Sequence, residues 1–150
     1  MFLALTACGF HRQGTAPMPP AMKIAYIESE DPQTEFQRGL RKALHTVGTE
    51  LTEQRDQATA ILRIVKDETG RRVLSVSARN TPREYEIFYN VTYSVTAGGK
   101  ELLPSHTLSL TRDYAFNEQA LLAKEHEEEI LRQALARDLV GIVMRRLSSL

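Results

Sequence analysis

Residues 84–96 alternate apolar and polar side chains more regularly than any other part of the chain. Phe88 interrupts the polar face, while the apolar face carries Tyr85, Ile87, Tyr89, Val91, Tyr93 and Val95. A period of two predicts a β-strand with one buried face and one polar face. Because a sheet buries its apolar face against a second layer, the chain must also supply neighbouring strands and a cover.

Two flanking segments are predicted as strands. Residues 22–27 predict a short strand, and Gly98-Gly99 predicts a hairpin turn into a return strand over 101–114. Pro104 lacks a backbone N–H and therefore places its part of the return strand at an edge or a bulge.

The segment 60–78 is rich in β-forming residues but is interrupted in the middle. The interruption is Asp67-Glu68-Thr69-Gly70, and Asn80-Thr81-Pro82 beyond it is a clearer turn. The pattern fits either a hairpin or a bulge within one long strand, and it does not decide between them.

Two amphipathic helices are predicted. Asp31-Pro32 is typical of a helix start and Gly48 of a helix end, so the first helix is expected over 32–47. A long second helix is expected over 118–147, with an acidic first half and a basic second half. Its start would be stabilised by an Asn117 cap and a Phe116–Leu121 staple.

These elements predict an α+β fold, a two-layer sandwich with two helices packed on one face of a mostly antiparallel four-stranded sheet. The opposite face would be nearly uncharged over its middle and rich in hydroxyl groups. It would carry Ser75, Ser77, Thr92, Ser94, Thr96, Thr107, Ser109 and Thr111. In an isolated domain such a face is solvated, and the alternative is that it docks inside a partner.

The N-terminal segment is typical of a lipoprotein. Leu5-Thr6-Ala7-Cys8 is similar to a lipobox, at which the cysteine becomes acylated. Residues 1–7 lack a basic n-region, so we expect them to be a signal-peptide remnant from a late start codon or a trimmed sequence. Residues 8–21 would be the lipidated N-terminus and a proline-rich linker reaching about 40 Å when extended. Residues 22–150 would form the folded domain.

Composition excludes several classes of protein. Lys and Arg number 19, equal to Asp and Glu, which argues against a generic nucleic-acid binder. The single cysteine excludes a disulfide-stapled miniprotein, and no apolar run approaches the roughly 20 residues of a transmembrane helix.

No pattern of catalytic or metal-ligating residues stands out. The four histidines, His11, His45, His106 and His126, have no close metal-ligand spacing. The sequence has no GxSxG elbow, P-loop or GxGxxG motif. We therefore expect neither enzymatic activity, nor a metal, nor a cofactor.

Four stretches in order resemble the LptE family of lipopolysaccharide-assembly lipoproteins. They are Leu5-Thr6-Ala7-Cys8-Gly9-Phe10-His11; Met22-Lys23-Ile24 with Asp31-Pro32; Arg79-Asn80 with Glu84-Tyr85-Glu86; and Leu121-Leu122-Ala123-Lys124-Glu125-His126-Glu127 running to Arg145-Arg146-Leu147. The resemblance covers essentially the whole mature chain. It departs at the C-terminus, where some members carry a polar tail and this chain stops just after the helix.

The resemblance implies a subunit of the outer-membrane lipopolysaccharide translocon. Family members plug the lumen of the LptD β-barrel one to one, assist its assembly and bind lipopolysaccharide. Cys8 would then be the lipid anchor on the periplasmic side of the outer membrane, and 60–78 would be one long interrupted strand. The alternative is an unrelated periplasm-facing envelope lipoprotein that acts as a protein–protein adaptor.

The resemblance also implies which residues bind lipopolysaccharide. The family's basic residues lie in the turn before the central strand and in the Ala-Lys motif of the last helix. The second corresponds to Lys124, and the first to Arg79 if the turn is shifted by one residue, with Arg83 close by. Arg can bind a phosphate in a bidentate manner and Lys acts as a point charge. The alternative is that all three are ordinary solvated charges.

Overall fold

The computed structural model describes residues 17–115 and 121–150, with side chains from residue 125 onward in the second range. The elements in chain order are β1 (Ile24–Glu28), α1 (Glu35–Thr46), β2 (Glu50–Leu51), β3 (Ala60–Val76), β4 (Pro82–Ala97), β5 (Lys100–Ala115) and α2 (Leu121–Leu147). Single 3-10 turns precede β1 and β3, at Pro20–Met22 and Arg55–Gln57.

The sheet has five strands and is mixed, so the prediction of four strands was wrong in this detail. The strand order is β2-β1-β3-β4-β5, with β1 parallel to both of its neighbours and the other pairs antiparallel. The missed strand, Glu50–Leu51, has two residues and is too short to show a period in the sequence.

Residues 60–76 form one continuous strand with a bulge, which confirms the interrupted strand that the family resemblance implied. Ile64 pairs with Tyr93 and Lys66 with Thr92, so Val65 is an extra residue. Before the bulge the even-numbered residues face the helices, and from Asp67 to Val73 the odd-numbered residues do. A second register shift at Leu74 then returns Ser75, which pairs with Glu84, to the other face. This change of parity is why the sequence pattern appeared broken.

The first helix begins later than predicted. The Asp31 carboxylate accepts from the Gln33 N–H at 2.8 Å and forms a turn ahead of the helix. The cap is Thr34, whose hydroxyl accepts from the Gln37 N–H at 3.1 Å. At the other end Gly48 has a φ of +87°, as predicted for the residue that follows a helix.

A buried polar cluster connects α1 to the two longest inner strands. The Thr34 hydroxyl donates to the Asp67 carboxylate on β3 at 2.5 Å, and the Phe36 N–H donates to the Tyr89 hydroxyl on β4 at 3.3 Å. The Tyr89 hydroxyl also lies close enough to the Asp67 carboxylate to affect its pKa. Burial raises the pKa of Asp67, although both hydroxyl groups act in the opposite direction. The cluster fixes the start of α1 over the middle of β4.

Both helices pack on the same sheet face, as predicted. The helices contribute buried residues to one core with the inward face of β4, whose five members Ile87, Tyr89, Val91, Tyr93 and Val95 are at most 1% exposed. On α2 the buried set is Leu135, Ala136, Leu139, Val140, Val143, Met144 and Leu147. Ile130, which the helical pattern also placed on the apolar face, is instead 49% exposed.

The two helices run in the same direction along β4. Helix α1 starts beside Tyr89 and leads to β2, at the end of the sheet that contains Ala97. Helix α2 contacts Arg71 near its start and His106 near its end, and these residues pair with Ile87 and Tyr93. The predicted Asn117 cap and Phe116–Leu121 staple lie outside the described residues.

The return strand β5 is an edge strand with an irregular register at Pro104, as predicted. Tyr93 pairs with His106 and Val95 with Leu103, so the ladder shifts at the proline. A proline at this position leaves no N–H unpaired in the sheet.

The facing of β4 can be tested with two neighbouring substitutions. Val91→Asp puts a carboxylate at a fully buried position and should cost at least about 4 kcal/mol, close to the whole stability of a small domain. Thr92→Asp lies on the uncovered face and should leave the domain folded. The measurement is thermal unfolding followed by circular dichroism, and similar melting of both variants would contradict this facing.

Candidate functional site

The turn that joins β3 to β4 forms one end of the sheet and carries Arg79 at its apex. Ser77 and Thr81 close it through a backbone hydrogen bond of 2.8 Å and a contact of 2.6 Å between their hydroxyl groups. The Ser77 carbonyl accepts from the Asn80 N–H at 2.9 Å, and Asn80 has a φ of +60°. Asn tolerates this left-handed conformation better than most residues, and the geometry is that of a three-residue hairpin loop.

The Ser77 side chain stabilises the turn through hydrogen bonds to its backbone. Its hydroxyl accepts from the N–H groups of Arg79 and Thr81, both at 3.2 Å. The backbone of Arg79 is therefore fixed while its side chain is exposed to solvent. Arg83, the second residue of β4, is also exposed.

Neither of these arginines has an ion-pair partner within the described part of the chain. Eight other arginines pair with carboxylates: Arg38, Arg41, Arg55, Arg63, Arg71, Arg72, Arg112 and Arg132. A cation without a carboxylate partner is available for an anionic ligand at little desolvation cost, because it is already exposed.

Exposed apolar side chains precede the basic turn on β3. Val73, Leu74 and Val76, near the end of β3 before Ser77, are each about half exposed, at 48%, 49% and 51%. An exposed apolar group next to a charged rim is typical of a binding surface. We call the segment from Val73 to Arg83 the sheet tip.

Helix α2 is tied to the sheet close to the tip by a cluster of four residues. Arg71 on β3 forms an ion pair of 2.5 Å with Glu128 on α2, and Tyr114 on β5 donates its hydroxyl to the same carboxylate. Tyr85 and Tyr114 stack with ring centroids 5.7 Å apart, and the Arg71 guanidinium lies 5.1 Å from the Tyr85 ring.

The cluster changes the acidity of its members. Burial acts to raise the pKa of Glu128, but hydrogen bonds from Tyr114 and Arg71 outweigh it and lower the pKa. Burial and the neighbouring Glu128 raise the pKa of Tyr114 to about 12. Arg71 and Glu128 are 57 residues apart, so no local sequence pattern could have predicted this contact.

Lys124 lies one helical turn before Glu128, and its side chain is outside the described residues. Because α2 runs from Arg71 toward His106, its start extends in the direction of the tip. The approach of Lys124 to Arg79 therefore stays a prediction, whereas Arg79 and Arg83 share the tip.

Neither helix covers the hydroxyl-rich face of the sheet. The Thr92 and Thr107 hydroxyls bond to each other at 2.9 Å. Lys66, paired with Thr92 in the ladder, forms an ion pair of 2.6 Å with Glu68. The middle of this face therefore carries an ion pair, and the expectation that it is nearly uncharged was wrong because β3 adds these side chains.

Phe88 is the aromatic exception on that face, and Gly70 explains how the sheet accommodates it. The two residues pair across β3 and β4, and a Cβ at Gly70 would lie 2.7 Å from the Phe88 ring. The ring thus lies across the space that a side chain at position 70 would occupy.

The predicted anchor, Cys8, lies outside the described residues, as do 1–7 and the first half of the linker. Across residues 17–115 and 121–150, no helix has the length and apolar character needed to cross a membrane. In the same residues no three His, Cys, Asp or Glu side chains are grouped so that they could hold a metal ion.

Comparison with protein families identifies the chain. The model of the LptE family, described as lipopolysaccharide-assembly, matches residues 22–147. The chain belongs to the LptE family. The match covers every strand and both helices, so the family resemblance seen in the sequence is confirmed.

Individual LptE relatives align over nearly the whole chain. The LPS-assembly lipoprotein LptE of Yersinia enterocolitica is 27% identical over 147 residues, covering 97% of this chain and 70% of that protein. The LptE of Pectobacterium atrosepticum is 25% identical over 146 residues, covering 97% and 79%.

Solved structures share the LptE fold described above. Uncharacterized lipoprotein B from Nitrosomonas europaea matches with a TM-score of 0.78 and 26% identity over 94% of this chain and 91% of its own. The rare lipoprotein B from Shewanella oneidensis matches with a TM-score of 0.72 and 25% identity over 84% and 94%.

The Glu128 cluster leads to a pH-dependent prediction for the stability of this chain. Glu128→Gln should lower the free energy of unfolding by about 1–2 kcal/mol at pH 7. Because folding lowers the pKa of Glu128, its stabilisation is present above the ordinary value of 4.5 and is lost as pH falls through the lowered value. Urea unfolding should therefore show the difference at pH 7 and none once Glu128 is protonated.

The control is Glu125→Gln, an exposed glutamate on the same helix. It should change the free energy of unfolding by less than about 0.5 kcal/mol at either pH. A pH-independent loss in Glu128→Gln would show that the ion cluster does not hold α2.

Proposed function

We propose that the chain is a non-enzymatic outer-membrane lipoprotein that binds lipopolysaccharide at the sheet tip. The observation that carries this is the combination of two exposed cations, which have no ion-pair partner among the described residues, with exposed apolar side chains. Arg79 and Arg83 supply the charge, and Val73, Leu74 and Val76 supply the apolar surface. Lipid A presents the complementary chemistry, phosphate groups on an acylated sugar.

Each element of the tip has a separate task in this proposal. Arg79, held on a rigid turn, can bind a phosphate through two parallel N–H bonds. Arg83 adds a second cation, and Lys124 would add a third from the start of α2. The apolar residues at the end of β3 contact the proximal parts of the acyl chains.

The remaining surfaces fit a subunit held inside a larger assembly. The hydroxyl-rich face can hydrogen-bond to polar groups and waters of an enclosing wall. We propose that this face contacts the lumen of the LptD β-barrel, with one copy plugging each barrel and assisting its assembly. The name that the relatives carry, LPS-assembly lipoprotein LptE, supports a role in lipopolysaccharide assembly, and the barrel partner is what the family resemblance implies.

A lipid anchor at Cys8 would determine where the domain is held. Acylated Cys8 would hold the chain on the periplasmic side of the outer membrane, and residues 8–21 would give the domain its reach. Neither a nucleic acid nor a cofactor takes part in this proposal.

The tip is tested by reversing its charges. Arg79→Asp with Arg83→Asp should weaken binding of purified lipopolysaccharide at least about tenfold, because each charge-assisted contact contributes about 1.5–3 kcal/mol. Lys124→Asp alone should weaken it less, and the triple variant most. The measurement is direct binding by the full chain, with circular dichroism to establish that each variant is folded.

The matched control reverses two exposed lysines at the other end of the sheet, Lys23→Asp with Lys100→Asp. It should bind lipopolysaccharide within about twofold of the native chain. Both double variants should still copurify with LptD in mild detergent. Equal loss of binding in the two double variants would reduce the effect to net charge and refute the tip as the site.

The anchor is tested separately in a Gram-negative host, with the chain expressed behind a complete lipoprotein leader. The native protein should fractionate with the outer membrane, because buried acyl chains contribute about 0.8 kcal/mol per CH₂. Cys8→Ala should move it to the soluble periplasmic fraction unless LptD retains it. Unmodified Cys8 in the native protein, by mass spectrometry, would contradict acylation.

A further inference from the structure

A second candidate site lies on the other layer of the molecule, in a groove between α1 and α2. The groove has a volume of about 1040 Å³. Its floor is formed by Gly39, Ala43, Val140 and Met144, and Gly141 lies beside them. The helices approach closely there, since a Cβ at Gly39 would lie 3.2 Å from a Val140 methyl. A space of this size is at the upper end of the range for small-molecule sites.

The rims of this interhelical groove are basic. Arg38 and Lys42 line it from α1, and Arg137 and Arg145 line it from α2. Glu35 is the single carboxylate among the described lining residues, and it is paired with Arg38. No carboxylate of the described residues pairs with Lys42, Arg137 or Arg145. The groove therefore combines an apolar floor with three cations that lack an ion-pair partner in the part of the chain that the structure describes.

We infer that the interhelical groove binds an anionic phospholipid, with an acyl chain along the floor and the phosphate among Lys42, Arg137 and Arg145. This inference does not depend on lipopolysaccharide binding at the sheet tip. The groove runs along α1 from Glu35 and reaches Met18, Val47 and Ser148, at the end of the helices opposite the tip.

Charge argues against the chain's own N-terminus as the occupant. Residues 1–16 contain Arg12 and no aspartate or glutamate, so they are repelled by the same cations that attract a phosphate. A second copy of the chain has zero net charge and offers no excess of negative charge.

The walls of the groove argue against an extended peptide. Both walls are helices, whose backbone N–H and C=O groups are already bonded within the helix. An extended peptide would leave its own backbone groups unpaired on the apolar floor, whereas an acyl chain has no polar groups to satisfy. An acidic helix is the remaining protein occupant, and the experiment tests it directly.

The first test fills the groove without harming the helix. A Cβ at Gly141 would have one neighbour within 4 Å, the Arg145 guanidinium at 3.5 Å, so there is room for a Cβ, and a larger side chain would extend into the groove that Gly141 lines. Replacing a helical glycine also improves helix propensity. Gly141→Phe should weaken binding of lysophosphatidylglycerol, kept below its critical micelle concentration, by about tenfold. The matched control Gly141→Ala should bind within about twofold of the native chain.

The second test removes the charges. Arg137→Gln with Arg145→Gln should weaken lysophosphatidylglycerol binding by about tenfold or more. Its control, Lys100→Gln with Arg146→Gln, removes equal charge outside the groove, since Arg146 contacts His106 at 3.4 Å and lines no part of it. All variants use the full chain, with isothermal titration calorimetry for affinity and circular dichroism for folding.

Three results would overturn the lipid assignment. Loss of binding in the charge variant but not in Gly141→Phe would mean non-specific electrostatic attraction to the basic rims. Dependence of lysophosphatidylglycerol binding on Arg79 and Arg83 would place the lipid at the sheet tip instead. An acidic amphipathic peptide that binds in a Gly141-dependent manner, where the lipid does not, would identify a helix as the occupant.

Discussion

The whole architecture depends on the burial of one face of β4. Five inward side chains of this strand, from Ile87 to Val95, are removed almost completely from water. No single helix is wide enough to cover a sheet face, so α1 and α2 must lie side by side. Two helices packed side by side leave a groove along their outer side. The polar outer face of β4 is the surface that neither helix covers. The two-helix cover and the uncovered polar face therefore both follow from the alternating pattern of β4.

The regular parts of this arrangement follow from the sequence because they repeat. The facing of β4, the end of α1 at Gly48 and the edge position of Pro104 each rest on a local rule of period or backbone geometry. The start of α1 was misplaced because Asp31 and Thr34 are both good caps, and the contact of Thr34 with Asp67 decides between them. That contact spans 33 residues of sequence and leaves no local signal.

The site divides in the same way. The basic residues of the tip were predicted from the family motifs, and the turn that presents Arg79 was predicted from Asn80-Thr81-Pro82. The Arg71–Glu128 cluster and the interhelical groove depend on the distance between separate elements, which neither composition nor periodicity contains. Likewise, a net charge of zero does not indicate which cations have a carboxylate partner and which do not. Within residues 17–115 and 125–150 most arginines pair with a carboxylate, while cations without such a partner lie at the tip and in the groove.

The bulge at Val65 constrains how the β3–β4 hairpin can change in length. It sets which residues of β3 face the helices beyond it, and the ladder with β4 stays in regular register from Lys66 to Val73. Adding one residue to each strand within that stretch would turn Val73 and Arg83 over to the other faces of the sheet, whereas adding two would preserve both. Relatives with a longer or shorter hairpin should therefore differ in steps of two residues per strand. Each step of two residues would move the basic turn by about 7 Å along the strand direction. The length of the hairpin would thereby set how far the turn extends into assemblies of different depth.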